Sequence, residues 1–196
     1  MALPDDLQLR RRLSARHQHH QSDTRSQQRG SGERRLTSPQ RSQPRLERAV
    51  IRADGAARGN PGPAAAGAVI IDATRPDAFS PDAPPVAVIA RPLGLQTNNF
   101  AEYNGVILAL EKASALGARE VDLVLDSMLI VEQLSGRWRV KHPAIKPLAV
   151  RAQALLAGFD RWSIRHERRA NNHQADAMAN LALDDPAAAA AAERGT

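Results

Sequence analysis

Apolar positions begin to recur near Arg48, where Ala49-Val50-Ile51-Arg52-Ala53-Asp54 reads as a short strand running into a Gly-rich turn, Gly55 to Gly62. Ala66 to Ile71 predicts a second strand. A Pro-rich connection, Pro76 to Pro85, leads to Val86-Ala87-Val88-Ile89-Ala90 as a third, so the three form a meander. Asn98 or Asn99 is placed to cap the helix that follows. It runs to about Leu116, with Tyr103, Ile107, Leu110 and Ser114 on one stripe and Gly117 just past its end. Val121 to Asp126 is apolar enough for a central strand, and Ser127 to Leu134 suits a short helix closed by Gly136. Pro143 opens a further helix with Ile145, Leu148, Ala152, Leu155 and Phe159 at helical spacing. A strand at Trp162 to His166 and a last helix from about Asn172 to Leu183 complete the order β-β-β-α-β-α-α-β-α.

Strands first and alternating helices and strands afterwards predict an α/β fold: a five-stranded mixed sheet, its first three strands antiparallel, flanked by helices. The domain is expected over residues 48–185. After Pro186 the Ala run to Ala192 reads as a frayed, disordered end, making 186–196 a C-terminal tail. Residues 1–47 are rich in Arg, Gln and Ser with few large apolar side chains, a composition that cannot repay the entropy of folding and predicts disorder.

Charge sharpens this division. The segment 1–47 holds 10 Arg against 5 acidic residues, whereas the remainder holds 17 basic and 16 acidic residues, so most of the net charge of +6 belongs to the tail. The tail therefore adds non-specific attraction to phosphates, while the domain must bind through placement of charge. Its five acidic residues and lack of an amphipathic stripe argue against a transit peptide. His17, His19 and His20 in such a tail read as incidental. No apolar run approaches the roughly 20 residues of a membrane span. The chain has no Cys, which is compatible with a reducing cytoplasm, the expected location, and limits any metal site to oxygen or imidazole ligands. An aromatic share of 3% leaves the core to Val, Ile, Leu and Ala.

Four carboxylates fall at element ends or helix starts: Asp54 and Asp126 close strands, Glu102 begins the long helix, and Asp176 lies early in the last one. Ligand sites of open α/β sheets gather beyond the carboxyl ends of strands, so Asp54 and Asp126 can stand side by side there with Glu102 and Asp176 approaching from above. Four ionised carboxylates in one pocket repel each other unless cations neutralise them. Oxygen-only ligands favour Mg²⁺, with Mn²⁺ able to substitute, and two such ions about 4 Å apart support phosphodiester cleavage. Taken singly each has an ordinary explanation: an Asp-Gly turn, a first-turn acid, a helix cap, a surface residue.

Read together, the residues resemble the type 1 ribonuclease H family. The motifs, in order, are Asp54-Gly55-Ala56-Ala57-Arg58-Gly59-Asn60-Pro61-Gly62-Pro63, Thr97-Asn98-Asn99-Phe100-Ala101-Glu102, Leu125-Asp126-Ser127 and Asn172-His173-Gln174-Ala175-Asp176. The run Val131 to Pro143 is similar to the actinobacterial branch, in which a phosphatase-like domain can follow; none is expected here. The resemblance implies a ribonuclease H-like fold and hydrolysis of the RNA strand of RNA/DNA hybrids, without sequence specificity, leaving 5′-phosphate and 3′-hydroxyl ends. It implies that Asp54, Glu102, Asp126 and Asp176 bind two Mg²⁺ ions, with Glu102 also contacting the 2′-hydroxyl beside the scissile phosphate. Gly55, Asn60, Asn98, Asn99 and Ser127 would touch the substrate, through 2′-hydroxyl contacts that tell RNA from DNA. A monomer is expected.

The sequence also departs from the family. The loop Glu167 to Asn172 holds no His of the kind thought to assist proton transfer, which leaves His173 as the candidate auxiliary and His166 as a structural residue. Met128 stands where many relatives carry a polar substrate contact. The basic handle of some relatives is reduced to Arg137, Arg139 and Lys141, with Trp138 expected as a core anchor. A proofreading exonuclease would need a Glu where Ala56 stands. A catalytically weak hybrid-binding module would be expected to have lost part of the carboxylate set, which is complete.

Overall fold

A computed structural model of the chain describes residues 46–195. The basic segment and its His17, His19 and His20 lie outside them, apart from its last two residues. Those two belong to the domain: Leu46 joins the main core, and the Glu47 carbonyl accepts from the amides of Arg119 and Glu120 at 2.8 and 3.1 Å.

Five strands, β1 (Arg48–Ala57), β2 (Gly62–Asp72), β3 (Ala87–Gln96), β4 (Glu120–Leu125) and β5 (Arg161–His166), form one sheet in the order β3-β2-β1-β4-β5. Neighbours among the first three run antiparallel, and β4 lies parallel to both β1 and β5. The helices are α1 (Asn98–Ala115), α2 (Met128–Leu134), α3 (Lys146–Leu156), α4 (His173–Asp184) and α5 (Pro186–Arg194). The mixed sheet flanked by helices is the architecture that the hydrophobic pattern predicts.

Alternation along the strands divides the core into two layers. Ala49, Ile51, Ile70, Ile89, Leu123 and Leu125 pack with Tyr103, Ile107 and Leu110 of α1 and with Ala149, Ala152 and Leu156 of α3. Val50, Val69, Ile71, Val88 and Val124 form the other layer, against which Met178 of α4 rests. With so few aromatic side chains, the helices come close to the sheet. A Cβ on Gly67 of β2 would meet the Ala175 carbonyl at 2.2 Å and the Ala179 nitrogen at 2.3 Å, so α4 rides directly on the strand. The one Tyr is fully buried and its hydroxyl donates to Gln133 Oε1 at 2.8 Å, tying α1 to α2.

Several boundaries differ from the sequence expectation. The Asp54-Gly55 pair is not a turn: β1 continues through it, still paired with β2 as far as Ala57 opposite Ala64. Thr97, not Asn98 or Asn99, caps α1, its hydroxyl accepting from the Phe100 amide at 3.3 Å. Helix α3 begins three residues after Pro143, with Pro147 in its first turn. In place of the expected frayed tail, Pro186–Arg194 forms helix α5. Asp185 caps α5 by accepting from the amides of Ala187 and Ala188 at 3.1 and 2.9 Å, Pro186 opens it, and Ala189 is completely buried. Near its end Glu193 accepts from the Ala90 amide and from Arg91, both at 2.8 Å, which fastens α5 along the edge strand β3.

Candidate active site

The β1–β4 register pairs Ile51 with Leu123, and the same offset carried forward sets Asp54, within β1, opposite Asp126, which directly follows β4. Asp54 is 5% exposed. Its Oδ1 accepts from the Gly55 amide at 2.8 Å, while its Oδ2 is buried with no partner among the described residues. Burial, reinforced by the charge of Asp126, pushes the Asp54 carboxyl up to about 7.

Glu102 reaches the same place from the first turn and a half of α1, and Gly55 is the reason it can. A Cβ on Gly55 would lie 2.1 Å from the Glu102 nitrogen and 2.4 Å from the Ala101 carbonyl carbon, so the helix backbone rests on the strand backbone. Both Glu102 oxygens are held: Asn98 Nδ2 donates to Oε1 and the Ser127 hydroxyl to Oε2, each at 2.8 Å. Burial raises the Glu102 pKa, with Asp126 adding to the rise, against the lowering effect of those two hydrogen bonds. Because Thr97 serves as the cap, the Asn98 side chain is free to orient the carboxylate.

Asp176 lies in the first turn of α4, where Arg169 donates to its Oδ1 at 2.7 Å and Asn180 to its Oδ2 at 2.9 Å. Arg169 sits in the short 3₁₀ turn Arg169–Asn171. Its guanidinium is held more firmly protonated by the Asp176 hydrogen bond first, and by the charges of Asp54, Asp176 and Asp126. It is the cation that faces the acidic cluster.

Of the other residues singled out from sequence, Asn60 accepts from the Asn98 amide at 3.2 Å, bringing the β1–β2 turn to the start of α1. Asn99 is exposed. With Leu129, Gln133, Arg139, Lys141 and His142 it lines a groove of about 550 Å³ beside the connection from α2 to α3. Trp138 is not a core anchor: it is 50% exposed and lines this groove. Its fixed position follows from Arg137, which is locked to Glu132 at 2.6 and 2.8 Å while the Trp138 amide donates to the Glu132 carbonyl. Met128 opens α2 and is exposed. His173 is not brought to the carboxylates; its Nε2 lies 3.2 Å from Asp82, on the loop between β2 and β3. The His166 Nε2 lies 3.2 Å from the Asp126 carbonyl.

Two residues at the site escape sequence reasoning. One is Arg169. The other is Asn172, which is 1% exposed and donates from one nitrogen to both the Ala53 carbonyl and Asp126 Oδ1. The spacing of Asn172 and Asp176, four apart at the start of one helix, was the available signal.

The donors gathered here are all oxygen, and the buried, unpartnered Asp54 Oδ2 is an acceptor in want of a cation; both fit a hard divalent metal. Among the described residues, no three Asp, Glu or His side chains are drawn close enough to hold one ion between them. Asp176 and Glu102 are each engaged with partners of their own, Asp176 with Arg169 and Asn180 and Glu102 with Asn98 and Ser127.

The family model that matches, described as reverse transcriptase-like, covers residues 52–182. Ribonuclease HI of Halobacterium salinarum is 48% identical over 132 residues, 67% of this chain and 62% of that protein. The crystal structure of RNase H1 from the same archaeon aligns with a TM-score of 0.64 and 46% identity, covering 70% of this chain and 98% of that one. The chain belongs to the type 1 ribonuclease H family. Another member, a protein of Mycobacterium tuberculosis described as bifunctional, is 46% identical over 144 residues, 74% of this chain but 38% of that protein's length. This chain thus spans well under half of such relatives. The N-terminal RNase H domain of the mycobacterial protein also aligns with a TM-score of 0.64, with 99% of that chain covered. A further type 1 member, LC11-RNase H1, was solved in complex with an RNA/DNA hybrid and aligns with a TM-score of 0.63 at 33% identity, covering 70% of this chain.

Proposed function

We propose that this chain is an endoribonuclease that hydrolyses the RNA strand of RNA/DNA hybrids, without sequence specificity, by means of two divalent metal ions, Mg²⁺ or Mn²⁺. The observation that carries the reading is the pair Asp54 and Asp126, set side by side on adjacent strands, where burial and the neighbouring Asp126 charge raise the Asp54 carboxyl to about 7. A pair of this kind is stable in its charged form only beside cations. Family membership and the hybrid bound by LC11-RNase H1 support the substrate class.

In this reading Asp54 and Asp126 are the central ligands, joined by Glu102 and Asp176. The bound metal supplies an activated water and stabilises the leaving 3′-oxygen, so that the products carry 5′-phosphate and 3′-hydroxyl ends. The chain's own residues fix the geometry. Asn98 and Ser127 hold Glu102 by both oxygens, which would fix its carboxylate for a metal and for the neighbouring 2′-hydroxyl. Asn60, Asn98, Asn99 and Ser127 supply polar groups to the minor groove, where a 2′-hydroxyl marks the strand as RNA. Gly55 contributes by letting α1 approach.

The groove beside α2 is proposed as the seat of the hybrid's backbone. Arg137 is neutralised by Glu132, whereas Arg139 and Lys141 form no ion pair among the described residues and remain available for phosphates. Replacing both by Ala is expected to raise KM several-fold with kcat little changed, and to reduce the slope of log affinity against log salt by about 2. Steady-state kinetics over a salt series checks this; an unchanged slope removes the groove from the interface.

The decisive experiment is cleavage of a labelled hybrid beside single-stranded RNA and double-stranded DNA, with Mg²⁺ or EDTA, for the wild type and Asp126→Asn. Cutting of the hybrid alone, dependent on metal and reduced about a thousandfold in the variant, is expected. A folded wild type that binds hybrid tightly and cuts nothing in Mg²⁺ or Mn²⁺ would replace this reading with that of a binding module.

A further inference from the structure

The paired register of β1 and β4 ends at Ile51 and Leu123, yet the two carboxylates that matter lie three residues further along. Beyond that point the side chain of Asn172 bridges the strands. Asn172 donates from Nδ2 to the Ala53 carbonyl at 3.0 Å and to Asp126 Oδ1 at 2.8 Å, so one amide grips the residue before Asp54 and Asp126 itself. A carbonyl and an ionised carboxylate only accept, which fixes the amide with its nitrogen toward them.

The bridge is anchored from behind. Arg52, two residues before Asp54 on β1, is fully buried. It donates to the Asn171 carbonyl at 2.9 Å and to the Phe79 carbonyl at 2.8 Å. The turn that presents Asn172 is therefore tied to the strand that carries Asp54, and the loop between β2 and β3 is tied to the same guanidinium.

We propose that Asn172 is a positioning residue that sets the separation and orientation of Asp126 relative to Asp54, with Arg52 as its anchor. The proposal rests on the metal reading given above. Asp54 and Asp126 lie beyond the last paired residues of β1 and β4, so that ladder does not set the spacing of the two carboxyl groups. Asn172 commits one oxygen of Asp126 to the fold and ties it to the β1 main chain, leaving the other oxygen for a ligand. Partners that orient a metal-binding side chain typically influence affinity by 10- to 100-fold.

The test measures Mn²⁺ binding by electron paramagnetic resonance on the full chain without substrate, for wild type, Asn172→Leu, Asn172→Ser and Arg52→Met. Hybrid binding in EDTA serves as the control for an intact fold. Asn172→Leu is expected to weaken Mn²⁺ binding about 10- to 100-fold, with hybrid affinity in EDTA kept within about twofold; Arg52→Met shifts metal binding in the same direction by less. Wild-type Mn²⁺ affinity in a folded Asn172→Leu overturns the proposal. Should Asn172→Leu fail to fold, Asn172→Ser, which keeps one donor, and Arg52→Met decide it by the same criterion. A wild type that binds no Mn²⁺ overturns the metal reading itself, whereas normal wild-type binding with unaffected variants overturns this inference alone.

Discussion

Asp54→Asn is expected to abolish hybrid cleavage while making the metal-free protein more stable at alkaline pH. Loss of a central ligand removes several kcal/mol of charge stabilisation, corresponding to about three orders of magnitude in rate. Stability moves the other way. Burial and the charge of Asp126 raise the Asp54 carboxyl to about 7, above its ordinary value in an unfolded chain. A group raised in this way contributes its full stability below about pH 4 and loses it as the pH climbs through 7, because the unfolded chain releases the proton more readily. A shift of that size amounts to at most about 4 kcal/mol, and relaxation around the charge brings the expectation nearer 2 kcal/mol. In EDTA at pH 8, Asp54→Asn should therefore melt about 4 to 8 °C above the wild type. The difference should shrink as the pH falls through about 4 and vanish below it, where Asp54 is protonated in both states. Mg²⁺ should close the gap at pH 8 by stabilising only the wild type. Equal melting temperatures for the two proteins at pH 8 in EDTA would show that the carboxylate carries no such strain.

Gly55→Ala is the second large effect, and it arises in the backbone. The added carbon would stand 2.1 Å from the Glu102 nitrogen and 2.7 Å from the Glu102 Cα, atoms that have no rotamer to change. Helix α1 must then retreat from β1 by more than about 1 Å, carrying Glu102 with it, and a displacement of that size costs about 100-fold in rate. Overpacking adds about 1–3 kcal/mol of instability. Cleavage kinetics with chemical denaturation checks both, and a folded variant retaining a third of wild-type activity would refute the claim that this contact positions Glu102.

Those two positions mark the boundary of what the sequence makes legible. Strand and helix order follows from the periodicity of Val, Ile, Leu and Ala, and the four carboxylates stand out as residues at element ends. The contacts that turn position into geometry do not. Asp54-Gly55 reads as a turn until its pairing with β2 is seen to continue, and only the backbone approach of α1 explains the glycine. An Asn and a Thr side by side are both good caps; Thr97 takes the cap, and the Asn98 side chain instead donates to Glu102 one turn along the same helix. Arg169 and Asn172 reach partners on other elements; the spacing of Asn172 to Asp176 marks its place on the helix but not those partners. Trp138 looks like core because of its size, but it stands half exposed in the wall of the groove beside α2. Helix α5 escapes detection for a different reason: a run of Ala carries no apolar period.

That helix has a consequence for the protein's behaviour in a crowded solution. A strand at the margin of a sheet, as β3 is, is where another extended chain would add by backbone pairing. The Glu193 carboxylate takes up the Ala90 amide, and the alanine face of α5 lies flat enough to shield the strand without adding bulk. The small side chains that make the segment look featureless are what allow it to act as a fender against sheet-to-sheet polymerisation.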